Sequence, residues 1–327
     1  MPTKLSEMIA AQPQALRELA DLDVTAEAER LRDCRRLFLV GTGTSHHAAL
    51  LGAQLLRSAG LDAHAVPSSE FVRWRPALAD GDGLVVITHT GESAYAQAAR
   101  AAALATRTPL MTITGPQVQW PEATRTPVHE LAETYTVSYT AALGVLALLA
   151  NTLTGTATGP DKLLRVADEV EAVIGEPGIA DIGLPERTIV LVGPGPWAVT
   201  AREGALKLRE AAHILAEGFD SEFLLHGAAV PYGAGDVLIG LAPEADWDGL
   251  TAGVIAAAAA EGATTHTFAG DAANESAAAA FLAQLPATAR LQLLTEQLTA
   301  VAGTDPDTVI TGAWAAAPLW AAGAPVY

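Results

Sequence analysis

Apolar residues along this chain gather into short runs separated by longer stretches with helical spacing. Runs at 37–41, 63–66, 84–88 and 110–114 read as strands, and 131–135 is a further candidate. Segments 45–59, 69–74 and 93–105 between them carry the 3.6-residue period of helices. Such runs, spaced by helices, predict a mostly parallel sheet covered on both faces. The order then recurs, with strands at 189–192, 237–241 and 265–268 and helices at 198–215, 247–261 and 287–301. Segment 5–32 reads as helix, broken at Pro13.

The recurrence has a fixed register. Gly41 and Gly193 each close a strand, an offset of 193 − 41 = 152 residues. The same offset pairs Gly52-Ala53 with Gly204-Ala205, Leu56-Arg57 with Leu208-Arg209, and Val85-Val86-Ile87 with Val237-Leu238-Ile239. Agreement of all these in one register indicates a duplication. The predicted fold class is therefore α/β, two tandem doubly wound parallel-sheet domains of flavodoxin-like type preceded by N-terminal helices. The first domain is expected over residues 1–157 and the second, with a C-terminal tail, over 158–327. Gly155, Gly159 and Pro160 break the pattern between them.

Composition narrows the function. The 327 residues suit about two domains, and half of them are hydrophobic, enough for two cores. One cysteine, Cys34, leaves no intramolecular disulfide and points to a reducing compartment. No secretory signal is read at the N-terminus, so a cytoplasmic location is expected. The Ala-rich stretches 256–260 and 277–280 are too short to cross a bilayer, and no membrane partner is expected. A formal charge of −18 opposes nucleic-acid binding, which needs Lys and Arg at the phosphates. No metal or cofactor is expected: adjacent His46-His47 cannot share one ion from a regular helix, and 80–83 lacks the later ligands of a calcium loop.

Ligands of open parallel sheets sit beyond the carboxyl ends of the strands. There the first strand runs into Gly41-Thr42-Gly43-Thr44-Ser45, and the third into Thr88-His89-Thr90-Gly91-Glu92-Ser93. Each turn puts hydroxyls and backbone N–H groups at a helix mouth, which suits an anion. The first alone could be a mere turn and cap; two in one sheet are far more specific. Neither is a dinucleotide fingerprint or a P-loop, because His46 interrupts the glycine spacing and no P-loop lysine follows. That disfavours a nicotinamide dehydrogenase.

These two turns, with Glu203–Glu210, His226-Gly227 and Gly303–Asp307, resemble the sugar isomerase (SIS) domain family, in its duplicated phosphosugar-binding form, across nearly the whole chain. The resemblance implies that Ser45, Thr88, His89, Thr90 and Ser93 hold a sugar phosphate. It implies sugar contacts at Gly43, Thr44, Thr136 and Ser138, proton transfer by Glu210, and roles for Lys207 and His226 in opening and holding the sugar. It also implies a homodimer. From the residues themselves, Lys207 and Glu210 share a helix face at i, i+3, where an ammonium keeps a carboxylate ionised and basic. Read alone, that pair is an ordinary surface ion pair, with His226 a capping histidine.

Departures from the family decide between chemistries. Thr88 and Thr90 replace serines, Thr140 stands where the amide-transferring members carry a lysine, and no lysine follows Lys207. Position 314, where a near-terminal lysine is expected, is Trp314. The tail through Trp320 to Tyr327 could cap the site or a subunit contact. The chain opens on Met1-Pro2, without a catalytic cysteine, so glutamine-dependent amination is not expected. The reading is a sugar-phosphate isomerase or lyase, the lyase route being deamination or dehydration of an amino sugar. The alternative is a non-catalytic phosphosugar sensor.

Overall fold

The computed structural model describes residues 2–74, 77–270 and 276–321. Three helices come first: α1 (Lys4–Ala10), α2 (Gln12–Leu19) and α3 (Thr25–Arg32). The first sheet is laid down as β1 (Arg36–Gly41), α4 (Thr44–Ser58), β2 (Ala63–Pro67), α5 (Ser68–Trp74), β3 (Asp82–Ile87), α6 (Ala94–Thr106), β4 (Leu110–Thr114) and β5 (Ala123–Arg125). Helices α7 (Val137–Thr154) and α8 (Pro160–Gly175) lead to the second. It comprises β6 (Ile189–Gly193), α9 (Pro196–Ala211), β7 (Ala216–Asp220), the single turn α10 (Ser221–Phe223), β8 (Val237–Leu241), α11 (Leu250–Ala260), β9 (Thr264–Phe268) and α12 (Ala277–Ala302). A short α13 (Ala317–Ala321) lies in the tail.

The described strand pairs are all parallel, in the order β2-β1-β3-β4-β5 in one sheet and β7-β6-β8-β9 in the other. The same doubly wound order thus occurs twice. Alternate residues of each strand serve opposite faces. Phe38 and Val40 of β1 join Phe71, Ala99 and Leu110 on one side. Leu39 faces the other, where a Cβ on Gly52 of α4 would come within 3.0 Å of its Cδ2. The second sheet repeats this: Ile189 and Leu191 pack with Leu208 and Leu291, and Val190 and Val192 with Leu224 and Val254.

The duplicated positions have duplicated jobs. Arg57 donates to the Ala63 carbonyl at 2.7 Å, and Arg209 to the Ala216 carbonyl at 2.6 Å, each tying its helix to the next strand. Gly43 and Gly195 both take φ 54° at the helix entrance, a region that excludes most side chains. Gly204 approaches Leu191 as Gly52 approaches Leu39.

Several expected elements differ. Segment 131–135 is loop, and the fifth strand is the three residues of β5. Strand β7, with only Ala216 fully buried, carries too little apolar pattern to be read, and its presence ends α9 at Ala211. The break expected at Pro13 falls at Ala11, between α1 and α2, and Pro13 itself sits in the first turn of α2, where its missing N–H is harmless. Helix α12 starts at Ala277, ten residues earlier than expected, and runs through Pro286.

The chain divides into two compact units that are not contiguous in sequence. One gathers residues 1–10, 132–134 and 168–309; the other gathers 11–131, 135–167 and the chain from Ile310 onward. The boundary expected at 157/158 lies within the 135–167 segment of the latter unit. Helix α1 belongs with the second sheet because the Asp307 carboxylate accepts the N–H groups of Lys4 and Leu5 at 3.0 and 3.3 Å. Among the described residues one helix, α7, is long and apolar enough to cross a membrane, but 78% of that window is buried inside the protein. It is a core helix.

Candidate functional site

In the first-sheet unit, β1 and β3 are neighbours, with Val40 opposite Val86. The chain leaves β1 toward β2 and enters β3 on the other side, so the order reverses between them. The crevice of a doubly wound sheet forms at that reversal. The two predicted turns, 41–45 and 88–93, leave these adjacent strands side by side. Gly41 is needed there because a Cβ would come within 2.5 Å of the Ser45 backbone. Ser45 lies half-buried in the first turn of α4, next to Thr44, and the Cβ direction of Gly43 opens on space. Thr88 is buried; Thr90 and Ser93 are half-buried, and Ser93 precedes the first residue of α6. The Thr90 hydroxyl accepts the Glu92 N–H at 3.1 Å, and Gln97 braces the Gly91 carbonyl at 2.8 Å.

His89 turns its ring out of this row. Its Nε2 accepts the N–H of Glu130 at 3.0 Å, and the ring lies 6.0 Å from those of His129 and Tyr135. Burial, helped by neighbouring His129, pushes its pKa down to about 4. The imidazole is therefore neutral at pH 7 with its proton on Nδ1. Gly115 makes room, since a Cβ there would sit 2.6 Å from His89 Cε1. The His89 carbonyl accepts from the Gly115 N–H and from the Gln117 side chain, both at 2.9 Å.

The loop ahead of α7 is held by Glu130, a buried carboxylate. Its Oε2 accepts the N–H of Thr136 at 2.8 Å, the N–H of Ser138 at 3.1 Å and the Ser138 hydroxyl at 2.9 Å. Thr136 and Ser138 are buried. Thr140 spends its hydroxyl on the Val137 carbonyl at 3.2 Å, so it does not replace the missing lysine.

In the second-sheet unit, α9 presents a charged row at i, i+4 and i+7. Lys207 Nζ lies 2.7 Å from Glu210 and 3.4 Å from Glu203. The lysine side chain is 1% exposed, Glu203 0% and Glu210 24%. This is no surface ion pair. An ammonium sits buried between two carboxylates, of which only Glu210 reaches the surface. His226 is different: it occupies a distorted turn at 224–228, before Gly227 at φ 107°, and its side chain is 77% exposed, 3.8 Å from Glu222.

Residues 30–151 match the SIS domain. The chain carries a SIS domain. Its sequence is 28% identical over 299 residues to glutamine–fructose-6-phosphate aminotransferase (isomerizing) of Lactiplantibacillus plantarum, covering 83% of this chain and 49% of that one. The chain spans about half the length of the curated relatives it matches. Among solved structures, glucosamine-6-phosphate deaminase of Thermotoga maritima superposes with a TM-score of 0.76 at 19% identity, over 94% of this chain and 97% of that one. Tagatose-6-phosphate ketose/aldose isomerase of Escherichia coli gives 0.76 at 20% identity, over 96% and 98%. At such identity these likenesses establish the fold alone, over nearly all of the chain.

Within the SIS unit, Gly43, Thr44, Ser45, Thr88, Thr90 and Ser93 come to one sheet edge, while the His89 ring is committed to the Glu130 loop with Thr136 and Ser138 nearby in sequence. In the other unit Lys207 pairs with Glu210, and His226 stands out on its exposed turn. Sequence reading missed Glu130, Glu203 and Gly115. Glu203 had a signal, its i, i+4 spacing to Lys207; Glu130 and Gly115 had none, since both act through loop contacts. In the tail, Trp314 and Trp320 are exposed and joined by a 2.8 Å hydrogen bond from the Trp320 indole to the Trp314 carbonyl, and Tyr327 lies outside the described residues.

Proposed function

We propose that this chain binds a hexose or aminohexose 6-phosphate and moves a proton at C2, as an aldose-ketose isomerase or an amino-sugar-phosphate lyase. The observation that carries the reading is the Lys207–Glu210 pair. A structural ion pair has no need to bury its lysine completely while leaving one carboxylate partly open, whereas a base needs both charge and access. The phosphate would lie on the hydroxyls and N–H groups of 43–45 and 88–93, and the sugar against 136–138. Glu210 would take the C2 proton of the open-chain sugar and return it to C1, with Lys207 steadying the charge that builds on oxygen. His226 would assist ring opening, and its exposure suits action on a neighbouring copy in a homodimer. With a 2-amino sugar the same transfer gives an imine at C2, which water converts to ketose and ammonia.

The names of the similar proteins, an aminotransferase, a deaminase and an isomerase, share sugar 6-phosphates and fit the proposed class. Glutamine would not be the nitrogen source for these residues. Cys34 is the one cysteine, and burial together with the charges of Asp33 and Asp82 pushes its thiol up, away from the reactive thiolate.

The test is incubation with glucosamine 6-phosphate, N-acetylglucosamine 6-phosphate and fructose 6-phosphate in deuterated buffer, without glutamine, followed by proton NMR. Exchange at C1 or C2, abolished by Glu210→Gln, is the expected result, and the product identifies the leaving event. Binding without any exchange would replace this reading by a phosphosugar sensor.

A further inference from the structure

The carboxylate of Glu130 gathers three donors of one short loop, and its own N–H donates to a ring from another. Oε2 takes the N–H groups of Thr136 and Ser138 and the Ser138 hydroxyl, at 2.8, 3.1 and 2.9 Å. The backbone N–H of the same residue donates to His89 Nε2 at 3.0 Å. His89 sits within the turn 88–93, between Thr88 and Thr90. Glu130 therefore joins the two loops that the proposed function assigns to opposite ends of the substrate, one to the phosphate and one to the sugar. Nothing in secondary structure makes that link. The loop at 131–135 is irregular, and Leu131 is 47% exposed.

We infer that Glu130 is a positioning residue that sets the sugar-binding loop against the phosphate-binding turn, so that the two hold one ligand in a fixed register. The inference rests on the proposed function for the identity of the ligand. Three features favour positioning over simple filling. Glu130 is only 7% exposed, and burying a carboxylate is costly unless donors surround it. The donors it gathers are the first N–H groups of α7 and its approach, where a negative charge is favoured. The His89 ring is held as an acceptor by a second set of contacts: Gly115 and Gln117 fix its carbonyl, and Gln117 also reaches His129 Nδ1 at 3.0 Å. The groups facing His89 are His129, Tyr135 and Glu130, and burial beside His129 keeps it neutral, able to accept. A protonated ring would lose that acceptor.

The experiment compares the full-length chain with Glu130→Gln, Glu130→Ala and Ser138→Ala. Turnover of fructose 6-phosphate or glucosamine 6-phosphate, inhibition by inorganic phosphate, and amide hydrogen exchange at Thr136 and Ser138 are measured on each. Glu130→Ala is expected to lower kcat by about 100-fold, the scale of a 1 Å misplacement. Inhibition by inorganic phosphate should stay within about twofold, because a free anion needs no register with the sugar loop. The Thr136 and Ser138 amides should exchange faster in that variant. Glu130→Gln keeps an oxygen acceptor and should recover part of kcat, and it serves as the folded comparator should the alanine variant fail to fold. Unchanged kcat in both Glu130 variants, or phosphate inhibition lost in parallel with turnover, overturns the inference. A wild-type chain that neither binds nor turns over these sugars overturns the proposed function instead, and the amide exchange then decides the anchoring of the loop by itself.

Discussion

Replacing Lys207 by methionine isolates the cost of the buried charge row. The methionine stem fills most of the lysine volume, so packing changes little and the loss is chiefly electrostatic. Glu203 is fully buried and Glu210 about three-quarters so, and both lose the ammonium at 3.4 and 2.7 Å. Removing one partner from a buried pair costs about 3–5 kcal/mol, because the remaining charge stays desolvated. Glu210 reaches solvent and recovers part of that, which places the expectation near about 3 kcal/mol. At 1.4 kcal/mol per tenfold, the unfolding equilibrium moves by about 100-fold. Urea unfolding at pH 7 reads this as a lowered midpoint with an unchanged slope. The double variant Glu203→Gln, Lys207→Met removes the stranded charge as well and should regain at least half of the loss. Glu210→Gln should cost under about 1 kcal/mol, since a partly exposed amide still accepts from the lysine, yet abolish proton transfer. A Lys207→Met midpoint equal to wild type, or a double variant no better than the single, would refute the view that Lys207 compensates Glu203.

Two further outcomes follow from the geometry. His89 has its pKa lowered from 6.5 to about 4 by burial and by His129, so between those values the unfolded chain takes up a proton that the folded chain refuses. Its contribution is complete above about pH 6.5 and is lost as pH falls toward about 4, worth up to about 3 kcal/mol; His89→Gln should flatten that part of a stability-against-pH curve. Gly204→Ala places a Cβ 2.7 Å from Leu291 and 3.1 Å from Leu191, and overpacking of this kind should cost about 1–3 kcal/mol in thermal or urea unfolding.

How far the sequence could be read depended on which physical signal each residue leaves. Central strands β1, β3, β4, β6 and β8 are buried on both faces, so each is an apolar run that announces itself. Edge strand β7 has the pattern Ala-Glu-Gly-Phe-Asp, with backbone pairing to β6 supplying what side-chain burial does not. Helix α7 is buried on nearly every side and so lacks the amphipathic stripe that marks a surface helix. The turns at 41–45 and 88–93 were legible because glycine and hydroxyl spacing is local. Glu130 was not, because its partners lie six to eight residues onward and, through His89, 41 residues back.

The duplication also explains how so acidic a chain could hold an anion. At the 152-residue offset Ser45 corresponds to Trp197, which is 2% exposed and fills the mouth of the second sheet's first turn. Any side chain at Gly193 or Gly270 would meet it, at 2.7 and 2.6 Å. Strand register pairs Val40 with Val86 and Val192 with Gly240, so the offset is 152 residues at the first strand but 154 at β3 and β8, the expected pairing of 85–87 with 237–239 is shifted by two, and Thr88 corresponds to Ala242 and Thr90 to Glu244. Hydroxyls in one copy are thus an indole, a methyl group and a carboxylate in the other, and the Glu244 carboxylate already takes the Gly270 N–H. An anion would meet a buried indole and a carboxylate there in place of hydroxyls. One copy retains a turn chemistry suited to phosphate, while the other carries the buried Glu203–Lys207–Glu210 row on the helix that follows the filled turn. Under the proposed function, binding and proton transfer have been divided between two descendants of one domain. The net charge of −18 then matters less than the local dipoles and hydroxyls of the copy that keeps the cradle.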